Sequence, residues 1–262
     1  MAVRLSVSPV VVLGCNMKCL YPIYTKKGNV VPCGKCAPCL LNQAQEWTLR
    51  LSAENQRHNA YFVTLTYDDV HLPINGVDKH GVQCFLKRLR HELPFKYYLI
   101  SEYGPHTHRP HYHAIFYADV DNDTLYDCIL RNWKQGNIKV DDVNGNRINY
   151  VSSYHVTKGI CPRDKTENFR LASKGLGSCF LTKNRIKFFI DNTVNTTKYL
   201  GFRMALPRYY KEKVIYTDNQ KEYFKSVANA YYDSTRSYLE IRRLKQWEKN
   251  VFRKKFEKKN KI

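Results

Sequence analysis

KYYLISEYGPHTHRPHYHAIFY, residues Lys96 to Tyr117, decides how this chain is read. Two apolar runs, Lys96–Glu102 and His111–Tyr117, flank YGPHTHRP, whose two prolines and one glycine make it a loop between strands. Side chains alternate along a strand, so His111 and His113 in PHYH project from one face. Two neutral imidazoles side by side are a ligand pair for a divalent cation, with one flank open to substrate. Glu102 supplies an oxygen ligand if its strand lies beside the histidine strand; His106, His108 and Asp68 are the alternatives. An isolated His-x-His describes a wet hairpin face equally well, so the remainder of the chain has to decide.

The chain has 262 residues, enough for one large core or for one domain with appendages. Its 43 Lys and Arg outnumber 23 Asp and Glu, a formal charge of +20. That excess costs self-repulsion, and a polyanionic partner is its simplest explanation. No apolar stretch approaches membrane-spanning length, and MAVRLSVSPVVVLG, broken at Pro9, reads as a strand rather than a leader. The expected partner is therefore nucleic acid, inside a cell and without a membrane.

Five of the nine cysteines, Cys15, Cys19, Cys33, Cys36 and Cys39, crowd into one N-terminal window. An odd total argues against a disulfide framework, and the CGKCAPC spacing suits thiolates gathered on a structural zinc ion. Five cysteines compete for four positions, and ordinary buried thiols or a redox role are the competing readings.

Along the chain, Ala37–His58 has helical periodicity and Ala60–Tyr67 alternates as a strand. Gly81–His91 is an amphipathic helix with Lys87 and Arg88 on its basic side. Thr124–Asn132 reads as a helix, Gly136–Val140 as a strand, DVNGNR as an Asn-Gly turn, and Asn149–Gly159 as a further helix. Antiparallel strands with helices gathered on one face make an α+β fold. Three segments follow: a cysteine-rich start with the first helix (1–58), a core (59–180) and a basic, mainly helical extension (181–262). Arg163–Cys179, with Lys174, is expected as a loop, Thr182–Phe189 as a helix, and TTKYLGF as a short turn. MALPRYYKEKVI is an arm carrying Arg208 and Lys211, and Tyr223–Lys259 a long helix, with a break possible near Asp233. Its end, IRRLKQWEKNVFRKKFEKKNKI, holds ten basic residues against two acidic ones, so Arg242 and Arg243, like Arg109 earlier, are candidate phosphate contacts.

Tyr150, Tyr154 and Lys158 fall at i, i+4 and i+8, one face of a helix. An aromatic stripe packed on the core is the ordinary explanation, but such a stripe rarely ends in lysine. With a metal pair and strong positive charge, the set specifies phosphodiester cleavage by a tyrosine nucleophile. A phenol with a pKa of about 10 attacks poorly at neutral pH. A cation on His111, His113 and Glu102 would draw charge from the phosphate, while Lys158 contacts phosphate or phenolate.

The motifs in order are FVTLTYDD from Phe62, RPHYHAIF from Arg109 and YVSSYHVTK from Tyr150, with SEYG before the second and PCGKCAPC near the N-terminus. In these the chain resembles the replication initiation proteins of microviruses, most closely the gokushovirus branch, which are rolling-circle endonucleases of the His-hydrophobe-His type. The resemblance implies a five-stranded antiparallel sheet with the histidine strand at its centre, and Mg²⁺ or Mn²⁺ in the site. It also implies nicking of single-stranded or melted origin DNA in the host cytoplasm, with the two tyrosines alternating. The residue between the histidines, Tyr112, departs from the aliphatic pattern and is expected to face away from the metal. No GxxxxGK[ST] loop is present, so unwinding falls to a host helicase. A single-strand transposase or plasmid relaxase would use the same chemistry, and a zinc-containing protein that coats single-stranded DNA is the non-enzymatic alternative.

Overall fold

The computed structural model describes residues 18–157, 161–199, 201–233 and 240–250, except for the side chains of 155–157, 202 and 231–233. Cys15, Lys158, the expected opening strand and the basic tail beyond residue 250 lie outside the described residues. Described residues 47–180 form one compact unit, and 18–46 with 181–250 form another.

Two short strands, β1 (Ile23–Tyr24) and β2 (Val30–Val31), precede helix α1 (Ala37–Asn55), which contributes to both units. Next come β3 (Ala60–Thr66), α2 (Lys79–Glu92), β4 (Lys96–Tyr103) and β5 (Pro110–Tyr117). Then follow α3 (Asn122–Asn132), β6 (Ile138–Asp142), α4 (Gly145–Thr157) and β7 (Arg170–Ala172). The sheet is antiparallel, five-stranded and ordered β6-β3-β5-β4-β7. Strand β5 is therefore central, as the resemblance implied.

Period-two alternation sorts the residues of each strand into two cores. Val63, Leu65, Leu99, Tyr112, Ala114 and Phe116 face α2 and α3, meeting Phe85, Leu86, Leu89, Ile129 and Trp133. Phe62, Tyr98, Ile100, Ile115 and Tyr117 face the opposite way, onto Leu51 of α1 and Ile148, Val151 and Tyr154 of α4. The helices thus cover both faces of the sheet, not one as expected. Pairs of apolar residues on both sides of β4 and β5 demand cover on both sides, because an uncovered face would leave Ile100 or Leu99 in water. On the second face, Tyr117 donates to the Leu51 carbonyl (2.9 Å), and Thr48 and Ser152 share a buried hydroxyl contact of 2.7 Å. These bonds fix α1 and α4 side by side over the same strands.

Three local expectations are corrected. Asn144 does not open an Asn-Gly hairpin; its side chain accepts from the Arg147 amide (3.0 Å) and its carbonyl from Ile148, so it caps α4 four residues upstream of the expected start. The segment read as a loop contains β7, whose three residues pair with Tyr98–Ile100 at the sheet edge. Gly177 within it turns at φ +78° against the α1 backbone, where a Cβ would sit 2.8 Å from the Arg50 carbonyl oxygen. TTKYLGF is not a simple turn but part of a hairpin of β8 (Thr196–Tyr199) and β9 (Phe202–Ala205), with Gly201 at φ +81° between them.

The second unit is mainly helical. It contains α5 (Lys183–Asp191), the β8–β9 hairpin, α6 (Arg208–Lys211), α7 (Asp218–Asp233) and a helix at 240–250. The long C-terminal helix thus begins earlier than its apolar spacing suggested, at Asp218. Among the described residues no helix is long and apolar enough to cross a membrane.

Candidate active site and cysteine centre

The register of β4 on β5 sets Glu102 opposite His111 and Ile100 opposite His113, while β3 sets Thr64 opposite His113. Paired residues share a face, so Glu102, His111, His113 and Thr64 converge on the α4 side of the sheet. One ligand atom from each of Glu102, His111 and His113 lies within 4.8 Å of the others. Glu102 Oε2 is 3.6 Å from His111 Nε2 and 3.8 Å from His113 Nε2, and each side chain keeps only 16–20% exposure. Tyr112 points into the opposite core, its hydroxyl sharing a 2.9 Å contact with Tyr67 and accepting from the Asp78 amide.

The outer nitrogens are held as well. His111 Nδ1 lies 3.3 Å from the Arg109 carbonyl, which can only accept, so the proton is on Nδ1 and the Nε2 lone pair is free. His113 Nδ1 meets the Thr64 hydroxyl at 3.0 Å, and its ring stacks on Phe62 at a centroid distance of 5.3 Å. Burial, followed by the neighbouring His111, pulls the His113 pKa down to about 4, so its imidazole is neutral at physiological pH. For Glu102, burial alone would raise the carboxyl. Hydrogen bonds from His111 and Tyr150 and the field of both imidazoles outweigh it, and the group titrates below its ordinary range. Two imidazoles and an ionised carboxylate with a common open side suit a divalent cation that leaves positions for substrate oxygens.

Tyr150 completes the cluster. Its hydroxyl donates to Glu102 Oε2 at 2.6 Å, and its ring meets His113 edge-on at 5.5 Å. Tyr150 is 46% exposed, whereas Tyr154, one turn further along α4, is 6% exposed in the core. The Tyr154 hydroxyl makes no hydrogen bond among the described residues. Burial raises both phenols above their ordinary pKa, and the Glu102 carboxylate adds to the shift.

Of the alternative third ligands, none joins the cluster: Asp68 instead binds the His71 ring at 2.8 Å. Arg109 is engaged within the protein, donating to Asp69 (2.5 Å) and the Tyr67 carbonyl (3.0 Å). Lys87 and Arg88 ride on α2, across the sheet from the histidines, and Arg88 donates to the Asn132 carbonyl. Lys174 is exposed after β7. Arg208, paired with Glu212, and the half-buried Lys211 belong to the second unit, as do the exposed Arg242 and Arg243. Sequence reading missed the role of Thr64, although TLT had placed it on the polar face of β3; only the register reveals its partner. It also missed Lys139 and Arg170. One row across the five strands runs Lys139, Thr64, His113, Ile100, Arg170, with a cation at each edge.

The cysteines of the other unit come together too. Cys19, Cys33, Cys36 and Cys39 each offer a sulfur within 4.8 Å of the rest, and all four are free thiols. Burial opposes ionisation of Cys33, yet amides of Lys35 and Cys36 directed at its sulfur bring its pKa down to about 7.

Residues 60–159 match the family model described as replication-associated protein ORF2/gene II protein. The chain is 29% identical over 239 residues to the replication-associated protein ORF2 of Spiroplasma virus 4, covering 76% of this chain and 74% of that protein. It is 27% identical to the replication-associated protein VP4 of Bdellovibrio phage phiMH2K, over 69% of this chain and 66% of the relative. With the replication-associated protein ORF4 of Chlamydia phage 1 the figures are 26% identity, 75% and 58%. No solved structure matches the chain. The resemblance read from the three motifs is borne out: the chain is related to phage replication-associated proteins.

Proposed function

We propose that this relative of the phage replication-associated proteins is a metal-dependent DNA endonuclease and strand transferase, which starts and ends rolling-circle replication through a 5′-phosphotyrosine. The observation that carries this reading is the 2.6 Å hydrogen bond from the Tyr150 phenol to Glu102, the carboxylate that also faces both histidines. The nucleophile and the ligand set come from different elements, so their meeting is not a by-product of local sequence. Mg²⁺ or Mn²⁺ bound by Glu102, His111 and His113 would polarise the non-bridging oxygens of the scissile phosphate.

The chain's own residues do the rest. Thr64 and the Arg109 carbonyl hold the rings with Nε2 lone pairs inward. Glu102 Oε2 holds the phenol proton by its hydrogen bond and takes it as Tyr150 attacks in line. A bond forms from Tyr150 Oη to phosphorus, the bond to the 3′ oxygen breaks, and the proton passes to that oxygen. The products are a phosphotyrosine and a 3′-hydroxyl. One phosphodiester replaces another, so a later 3′-hydroxyl can reverse the step without ATP. Tyr154 is the second nucleophile, used after its phenol leaves the core, and Lys158 contacts phosphate. Lys139 and Arg170, on either side of the histidine row, bind the flanking phosphates, and basic residues of the other unit bind DNA as well. Partners are single-stranded or melted origin DNA and a host helicase in the bacterial cytoplasm.

The test is incubation of labelled viral-strand origin DNA with protein and Mn²⁺, followed by a denaturing gel. Cleavage with a covalent protein–DNA band is expected, and a Tyr150→Phe, Tyr154→Phe double variant that still forms that band would overturn the mechanism. Metal-independent binding without any covalent product would favour a coat protein.

A further inference from the structure

The four-cysteine cluster takes no part in the chemistry above, and its burial has no apolar explanation. Cys19, Cys36 and Cys39 are each under 5% exposed, yet the neighbours packed on them are Leu20 and Cys33. The sulfurs are spaced at 3.8 Å (Cys19–Cys36), 4.0 Å (Cys33–Cys39) and 3.4 Å (Cys36–Cys39). A tetrahedron of thiolates with metal–sulfur bonds of about 2.3 Å has edges of about 3.8 Å. The observed spacings bracket that edge and are far too long for disulfides, whose sulfurs lie about 2.05 Å apart.

The surroundings favour thiolates. The Cys33 amide points at Cys19 Sγ (3.2 Å), and the Lys35 and Cys36 amides point at Cys33 Sγ (3.5 and 3.4 Å). Cys36 immediately precedes α1 and Cys39 lies in its first turn, where the helix dipole favours negative charge. Between Cys19 and Cys33 the chain makes the β1–β2 hairpin, whose strands have only two residues each. So small a hairpin does not hold in water by itself, and a clamp across its two ends accounts for its order.

The same loops grip the C-terminal helix. Glu248, 9% exposed, accepts from the Ala37 amide at 3.0 Å, next to Cys36, and from the Tyr21 hydroxyl at 3.1 Å, two residues after Cys19. Both donors are placed by residues adjacent to the sulfurs, so the position of Glu248 depends on the cluster staying closed.

We propose that Cys19, Cys33, Cys36 and Cys39 bind one structural Zn²⁺, and that this centre seats the basic helix at 240–250 through Glu248. Four sulfur ligands close the coordination shell, so the ion is a fastener and not a second catalytic metal. Loading releases the remaining thiol protons to solvent.

The test uses full-length protein purified without chelator. Elemental analysis is expected to find about one zinc per chain, kept in His111→Ala, because that variant alters only the other site. Exchange with Co²⁺ should give the sulfur-to-cobalt charge-transfer band of a tetrahedral thiolate site. Hydrogen exchange at 240–250 should rise roughly tenfold when a zinc-selective chelator is added, whereas Glu248→Ala should show the same rise with its zinc retained. Iron in place of zinc, a disulfide among these cysteines, or no bound metal would overturn the assignment. Unchanged exchange at 240–250 after zinc removal would overturn the seating of the helix. None of these readouts depends on nicking, so they stand or fall apart from the nuclease reading.

Discussion

Thr64→Val is the most discriminating change at the metal site, because it removes one oxygen and keeps volume and β-branching in a strand. The Thr64 hydroxyl lies 3.0 Å from His113 Nδ1, and the ring it orients is 16% exposed. Leaving a buried ring nitrogen without its partner costs about 1–3 kcal/mol. Loss of a partner that orients a metal-binding imidazole typically weakens metal affinity about 10–100-fold, which is about 1.4–2.7 kcal/mol. The two magnitudes, reached independently, agree. Nicking of origin oligonucleotide, titrated against Mn²⁺, is therefore expected to show a half-saturation raised about 10-fold or more. At saturating Mn²⁺ the rate should recover, since Tyr150 and Glu102 are untouched. A half-saturation within about twofold of wild type would show that His113 does not need Thr64, and with it that the imidazole pair is not the metal site.

His111→Ala should abolish nicking while DNA binding, read by filter retention, stays within about threefold, because phosphate contacts supply most of the affinity. Tyr154→Phe deletes a hydroxyl that forms no hydrogen bond among the described residues. Thermal stability should not fall, first-strand nicking should persist, and circle closure should be lost. Lys139→Ala, Arg170→Ala should flatten the slope of log K against log salt for single-stranded DNA by about 1.4, at about 0.7 per contact, and an unchanged slope would remove both from the interface. Acidification should destabilise the fold. His113 titrates at about 4 instead of 6.5, and Glu102 also lies below its ordinary 4.5, so the unfolded chain binds more protons across this window. Stability present at pH 7 is then lost as pH falls from 6.5 towards 4, and His113→Gln should flatten that decline in melts without added Mg²⁺ or Mn²⁺.

Much of the sheet was legible because alternation is local: PHYH shows which residues share a face before any partner is known. The third motif was legible for the same reason, since i and i+4 fix Tyr150 and Tyr154 on one side of α4. What periodicity could not reveal was which side met what. Tyr150 and Tyr154 look equivalent in sequence, yet one reaches Glu102 and the other packs on Tyr98 and Ile100. Strand β7 escaped because three residues carry too little pattern, and its place comes from pairing with β4. The Asn144-Gly145 pair carries both turn and cap chemistry, and the strand end at Asp142 leaves room only for the cap. Arg109 looked like a phosphate contact because charge is visible in a sequence, while its bond to the Tyr67 carbonyl is not. The cysteine spacing indicated a metal, and the fold selects four sulfurs that close on one another.

The central test is to react wild-type protein with a single-stranded origin oligonucleotide and Mn²⁺, digest the product, and locate the nucleotide adduct by mass spectrometry. First-turnover adduct on Tyr150 is expected, at the phenol hydrogen-bonded to Glu102. Adduct confined to Tyr154 or to a tyrosine outside α4, or cleavage that leaves no adduct at all, would contradict it.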